Sequence, residues 1–131
     1  MKPWILFAAL AGLLHLAFFA MESVLLGDPQ IQARFKLSAA AYEYVRPWAF
    51  NQGFYNLFLA GGVLGGLLYR RVREREGTAI VLYACTCMLG AGVVLGASSP
   101  ELGRAAAVQA LPPLLALLLW SRRLEESSES A

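Results

Sequence analysis

Four stretches of this chain, Trp4 to Leu26, Trp48 to Tyr69, Thr78 to Ala97 and Leu102 to Trp120, approximately meet the length and apolarity that crossing a lipid bilayer requires. A spanning helix needs about 20 mostly apolar residues at a rise of about 1.5 Å each. In hydrocarbon every backbone polar group must be paired within the protein, which leaves helices or closed barrels, and continuous apolar runs in place of alternating ones select helices. Composition agrees: 58% of the 131 residues are hydrophobic and 15% charged, more apolar surface than a soluble domain of this size can bury. The fold class expected is all-α, a polytopic four-helix transmembrane bundle over residues 1–121 followed by an acidic tail at 122–131. Its partner is the lipid bilayer, and nothing points to nucleic acid.

The stretch from Lys2 to Ala20 has the outline of a secretory signal, with one positive residue, an apolar run and small residues near Ala20. The run continues past His15 to Leu26, longer than such a signal, so it reads as a first span. With four spans, the N-terminus, the loop at 70–77 and the C-terminus share one side and carry Lys2, Arg70, Arg71, Arg73, Arg75, Arg122 and Arg123. Arg34, Lys36, Arg46 and Arg104 fall on the other. By the positive-inside rule both termini are expected in the cytoplasm of a multi-pass cell-membrane protein. Trp4, Trp48, Tyr69 and Trp120 lie at span ends, as interface aromatics do.

The linkers differ in kind. "GDP" at 27–29 stops the first helix, since Asp-Pro initiates turns. From there to Pro47, Ile31, Phe35, Leu37, Tyr42, Tyr44 and Val45 lie among polar neighbours, which predicts an interfacial segment with a short helix at 38–45 over the outer face. "RRVREREG" is a tight charged hairpin, and "EESSESA" reads as a disordered acidic tail.

Polar residues inside the spans then acquire depths. Glu22 lies about one turn below the outer end of helix 1, with His15 roughly 10 Å deeper. Seven residues is nearly two turns, so both are expected on one face. Helix 2 returns inward and brings Asn51 and Gln52 to the level of Glu22, with Tyr55 and Asn56 one turn deeper. Gln109, some five residues into helix 4, regains the same level. Three segments distant in sequence thus place polar groups in one slab of the outer leaflet. Unpaired amides in hydrocarbon cost several kcal/mol, so these side chains are expected to face one another. Gly53 permits close backbone approach nearby.

At this point the chain resembles the small four-helix membrane proteins catalogued as domain of unknown function 1304. The resemblance rests on His15 followed by "FFAME" with Glu22, the Asp-Pro turn, Phe35, and above all "NQGFYN" at 51–56 followed by "LFLAGG". That family typically has tryptophan four residues after the glutamate, where this chain has Leu26. The resemblance implies four spanning helices and supplies no activity.

Plainer readings stand beside the functional ones. Carboxamides in spans serve as interhelical glue at about 0.6 to 2 kcal/mol per contact. A lone His is commonly a packing residue, and Glu22 could snorkel to the interface. His, Glu and Tyr together with amides nevertheless suggest a proton-exchanging site. Cys85 and Cys87 lie roughly 200° apart on a helix, cannot readily bridge, and read as space-filling. One His and one Glu make a poor metal set, so neither metal nor other cofactor is expected. No phosphate loop or nucleophile elbow is present. Glycines 61, 62, 65 and 66 form two overlapping GxxxG spacings and Gly92 with Gly96 a third, suited to helix packing within the bundle or to a homodimer. Pro112 and Pro113 are expected to kink or loosen helix 4.

The leading functional expectation is a polar pocket opening to the outer leaflet that binds, or passes, a small amphipathic or hydrophobic ligand. Glu22, His15 and Tyr55 would be its reactive groups, and Asn51, Gln52, Asn56 and Gln109 its binding groups. An intramembrane acid–base enzyme of isomerase, cyclase or epoxide-opening type on a lipid-soluble substrate is the alternative. A structural or assembly subunit is the third.

Overall fold

The computed structural model describes the backbone of residues 2–129 and the side chains of residues 2–125. Among the described residues every regular element is helical. Helix α1 covers Pro3–Phe19, with Pro3 in the first turn, where its missing N–H costs no hydrogen bond. It widens into a π-helical turn at Ala20–Val24, closed by a bond from Leu25 N–H to Ala20 O of 2.8 Å. Asp28 then caps α2, Pro29–Arg34, by accepting from Gln30 N–H at 2.7 Å. Ser38 caps α3, Ala39–Tyr69, by accepting from Ala41 N–H at 3.1 Å. Helix α4 covers Glu74–Ser98, a 3₁₀ turn Pro100–Leu102 follows, and α5 covers Gly103–Glu129.

Three described segments are long and apolar enough to cross a membrane: Pro3–Val24, Glu74–Ser98 and Pro100–Glu125. Helix α3 is the longest at 31 residues but is not among them. Asn51, Gln52, Asn56 and its glycines dilute the apolar run expected at 48–69.

The long helices close a ring: α1 packs on α3 and α5, and α4 packs on the same two. Small residues dominate the core, in which Ala8, Ala11, Val63, Val81, Ala84, Cys85, Met88 and Ala116 are buried around Trp4. Small residues bring helices close, and close approach is where dispersion accumulates. Methyl groups placed on Gly62 and Gly66 would meet Ala84 at 3.3 Å and Val81 at 2.8 Å, and one on Gly92 would meet Ala110 at 2.8 Å. The 62/66 and 92/96 spacings therefore pack inside the molecule, whereas Gly61 and Gly65 have open space before them.

Away from the core the helices present large apolar side chains outward, among them Leu6, Leu13, Phe58, Val93, Val94 and Leu118. One end of the ring gathers basic and aromatic residues. Trp4 meets Trp120 edge-on with ring centres 5.0 Å apart, and the Arg70 guanidinium lies 5.1 Å above the Trp4 ring. Arg70 also donates to Glu74 at 2.9 Å, and Lys2 lies 3.9 Å from the same carboxylate.

Several local expectations are corrected. The segment at 38–45 is no separate surface helix: α3 begins at Ala39 and continues through Pro47. Ser38 starts it with a good cap, and the only N–H that Pro47 withholds lies in the outermost turns. Trp4 stands at the start of α1, the span end expected for it, yet is only 1% exposed, because Trp120 and Arg70 cover it. Pro112 and Pro113, both buried, do not end α5, which α1 and α4 pack against. It also continues into the tail as far as Glu129, since Arg, Leu and Glu propagate a helix well; residues 130–131 lie outside the described residues. Cys85 is buried in the core and both cysteines are free.

Candidate functional site

The site forms where the end of α1 meets the start of α3, and glycine makes the meeting possible. A methyl group on Gly53 would collide with Ser23 Oγ and sit 3.2 Å from Glu22 Cβ, so the two backbones approach as they do only because residue 53 lacks a side chain. Ser23 then donates its hydroxyl to Phe50 O at 2.9 Å, a bond from one helix to the backbone of another. One turn along, Asn56 Nδ2 donates to Glu22 Oε2 at 2.8 Å, and Asn56 is buried. These contacts clasp the π-helical turn onto α3.

The turn itself aims Glu22. In an unbroken α-helix, residues seven apart stack on one face, which would set Glu22 over His15. The i→i+5 bond closing at Leu25 inserts an extra residue into the turn and changes that register. His15 remains on the α1 body, fully buried, donating from Nδ1 to Ala11 O at 2.9 Å and meeting the Phe18 ring edge-on. Its Nε2 is buried without a hydrogen-bond partner among the described residues.

Glu22 borders two cavities. The first, about 400 Å³, is walled by Glu22, Asn51 and Gln52 together with the apolar Leu26, Phe35, Leu37, Val45, Trp48 and Ala49. The second, about 630 Å³, lies between the loop after Glu22 and the start of α3, and its wall includes Ser23, Gly27, Tyr42, Arg46, Pro47 and Phe50. Leu26, 5% exposed, borders both. The apolar wall of the first cavity is set by the turn after α2. There Lys36 adopts a left-handed conformation (φ 53°), Leu37 N–H bonds Gln32 O at 2.9 Å, and Lys36 N–H bonds Ala33 O at 3.1 Å. That closure places Phe35 and Leu37 on the cavity wall.

The residues singled out in the sequence therefore divide. Glu22, Asn51 and Gln52 share one cavity, and Asn56 holds Glu22 from beneath. The carboxylate was expected to meet Asn51, Gln52 or Tyr55; its bonded partner is Asn56, because the π-helical turn and the contact at Gly53 set the register. Tyr55 lies apart, 56% exposed, in a groove between α3 and α4 with Phe58, Leu59, Gly62, Ile80, Tyr83 and Ala84. Gln109, half-buried on α5, and His15 line neither Glu22 cavity. Sequence reasoning passed over Ser23, Tyr42 and Arg46. Ser23 stands next to Glu22, and Tyr42 and Arg46 share one face of a helix at i and i+4, the only signal that could have found them.

Chemically, the lining of the first cavity combines hydrogen-bond acceptors and donors, from Glu22, Asn51 and Gln52, with six apolar residues. A bare carboxylate oxygen, Oε1, remains beside two carboxamides that can each donate and accept. Among the described residues no three His, Cys, Asp or Glu side chains gather to hold a metal ion. No curated protein and no solved structure matches the chain. The model of the family described as "Protein of unknown function (DUF1304)" matches residues 9–121, from the middle of α1 through the Glu22 turn, the carboxamide motif and α4 into α5, and the chain belongs to that family.

Proposed function

We propose that this is a four-span integral membrane protein, both termini cytoplasmic, that binds a small amphipathic or hydrophobic ligand beside Glu22 near the outer leaflet. The observation carrying the proposal is the first cavity, about 400 Å³, lined by three polar residues and six apolar ones. That volume and lining suit a small ligand with one hydrogen-bonding end. Helix α3 serves as the fourth span, with Asn56 buried against Glu22, Asn51 and Gln52 exposed on the border of the first cavity, and Tyr55, Phe58, Leu68 and the open glycine face among the groups it presents outward. Support for the orientation comes from the end of the ring where Lys2, Arg70 and Glu74 meet, together with Arg71 and Arg73 in the 70–73 turn and Arg75 in the first turn of α4.

In this reading Glu22 carries the ligand's polar end and Asn56 keeps the carboxylate aimed. The acid–base alternative would rest on Glu22 alone, since His15 and Tyr55 lie outside the cavity. The test is retention of ligand by the full chain extracted in mild detergent, read by mass spectrometry. Glu22→Gln keeps the shape and much of the hydrogen bonding, so the fold is expected to survive while retention of ligand falls. Ala49→Trp, which fills the chamber, is expected to abolish retention. Unchanged retention in both variants overturns the proposal.

A further inference from the structure

The second cavity adds a charge that the first lacks. Arg46 lies on its wall with Glu22, and among the described residues Arg46 has no ion pair and no aromatic ring beneath it. Tyr42, one turn earlier, aims its hydroxyl across the Gly27 turn, where a methyl group would meet it at 3.5 Å. Ser23 has already spent its hydrogen on Phe50 O, so in this cavity the donors left for a ligand are a guanidinium and a phenol. Glu22 supplies the opposite charge, and Glu22 and Leu26 also line the first cavity.

A positive and a negative residue bordering one cavity, next to another with a largely apolar lining, define a ligand class. Arginine's planar fork recognises phosphate or carboxylate, a carboxylate with a bare oxygen accepts from an ammonium, and the apolar chamber takes the adjoining chain. Both residues border this cavity yet form no ion pair within 4 Å of each other, so each is open to a separate partner.

Resting on the ligand-binding reading above, we propose that the bound amphiphile is zwitterionic. Its phosphate or carboxylate lies at Arg46 and Tyr42, its ammonium at Glu22, and its apolar body in the first cavity. Phosphatidylethanolamine has this chemistry, and so, without the hydrocarbon, does glycerophosphoethanolamine.

The test is native mass spectrometry of the full chain in detergent with equimolar phosphatidylethanolamine, phosphatidylglycerol and diacylglycerol of identical chains. Phosphatidylethanolamine is expected to be favoured over diacylglycerol by about tenfold or more, the scale of a charge-assisted hydrogen bond. Arg46→Gln should erase the advantage of both phospholipids over diacylglycerol, and Glu22→Gln should erase the advantage of phosphatidylethanolamine over phosphatidylglycerol. Displacement by soluble glycerophosphoethanolamine would place recognition in the headgroup alone, and its failure would place it in the whole lipid; either result supports a zwitterion site. Retention of all three lipids alike, or unaltered selectivity in Arg46→Gln, overturns the proposal while leaving a ligand site in place. If no lipid binds more to the parent than to Ala49→Trp, the underlying ligand reading is what fails.

Discussion

The hydrogen atom in place of a side chain on Gly53 is what lets Ser23 and Glu22 reach α3. Gly53→Ala is therefore expected to cost about 1 to 3 kcal/mol, the range for forcing extra volume into a packed contact, even though alanine is the better helix former. Unfolding in detergent measures it. Removing the nearest obstacle with Ser23→Ala should recover part of the loss, because Glu22 Cβ and Ser23 Cβ stay close at 3.2 Å. A Gly53→Ala protein as stable as the parent would mean that the two helices do not meet as described. At this scale much of the site could be read in advance. Glu22, Asn51 and Gln52 stand out because polar groups within apolar runs must find partners. Ser23, Tyr42 and Arg46 do not, because near the ends of apolar segments such residues are ordinary, and only the neighbouring helix gives them a shared cavity.

Elements add constraints that individual residues do not announce. A non-glycine residue closes the turn after α2 in the left-handed region, where an L side chain costs roughly 1 to 2 kcal/mol. Lys36→Gly should relieve that strain and raise stability by about 1 kcal/mol or somewhat less, since glycine also has more freedom to lose on folding. Lys36→Val should lower stability. Denaturant titrations of the two variants decide this, and a loss of stability on Lys36→Gly would contradict the capping role. The Asp-Pro turn at 28–29 was legible because Asp28 and Pro29 act locally, as was the cap-forming Ser38 once the helix start was known. The π-helical turn at Ala20–Val24 was not: no residue type there demands an i→i+5 bond, and its closure is tied to the docking on α3.

For the molecule as a whole, the ring places Lys2, the 70–73 turn and the end of α5 together, with Arg70 and Arg123 stacked over Trp4 and Trp120. In the proposed orientation this end is cytoplasmic, so Ser127→Cys in intact cells should resist an impermeant thiol reagent and react after permeabilisation, compared with the parent protein. Labelling from outside would reverse the orientation. By itself the sequence determined the helical class, the turns that interrupt it and the polar residues that need company, because hydropathy, proline and side-chain capping act over a few residues. Depth along each apolar run also brought Glu22 level with the carboxamides. Only the tertiary structure decided that Asn56 holds Glu22, that Tyr55, His15 and Gln109 lie outside its cavities, and that the 62/66 glycine face packs inward while 61/65 stays open. Those outcomes depend on how each helix is rotated about its axis, and rotation is set by the contacts between helices, here the close approach at Gly53 and the widened turn beside it.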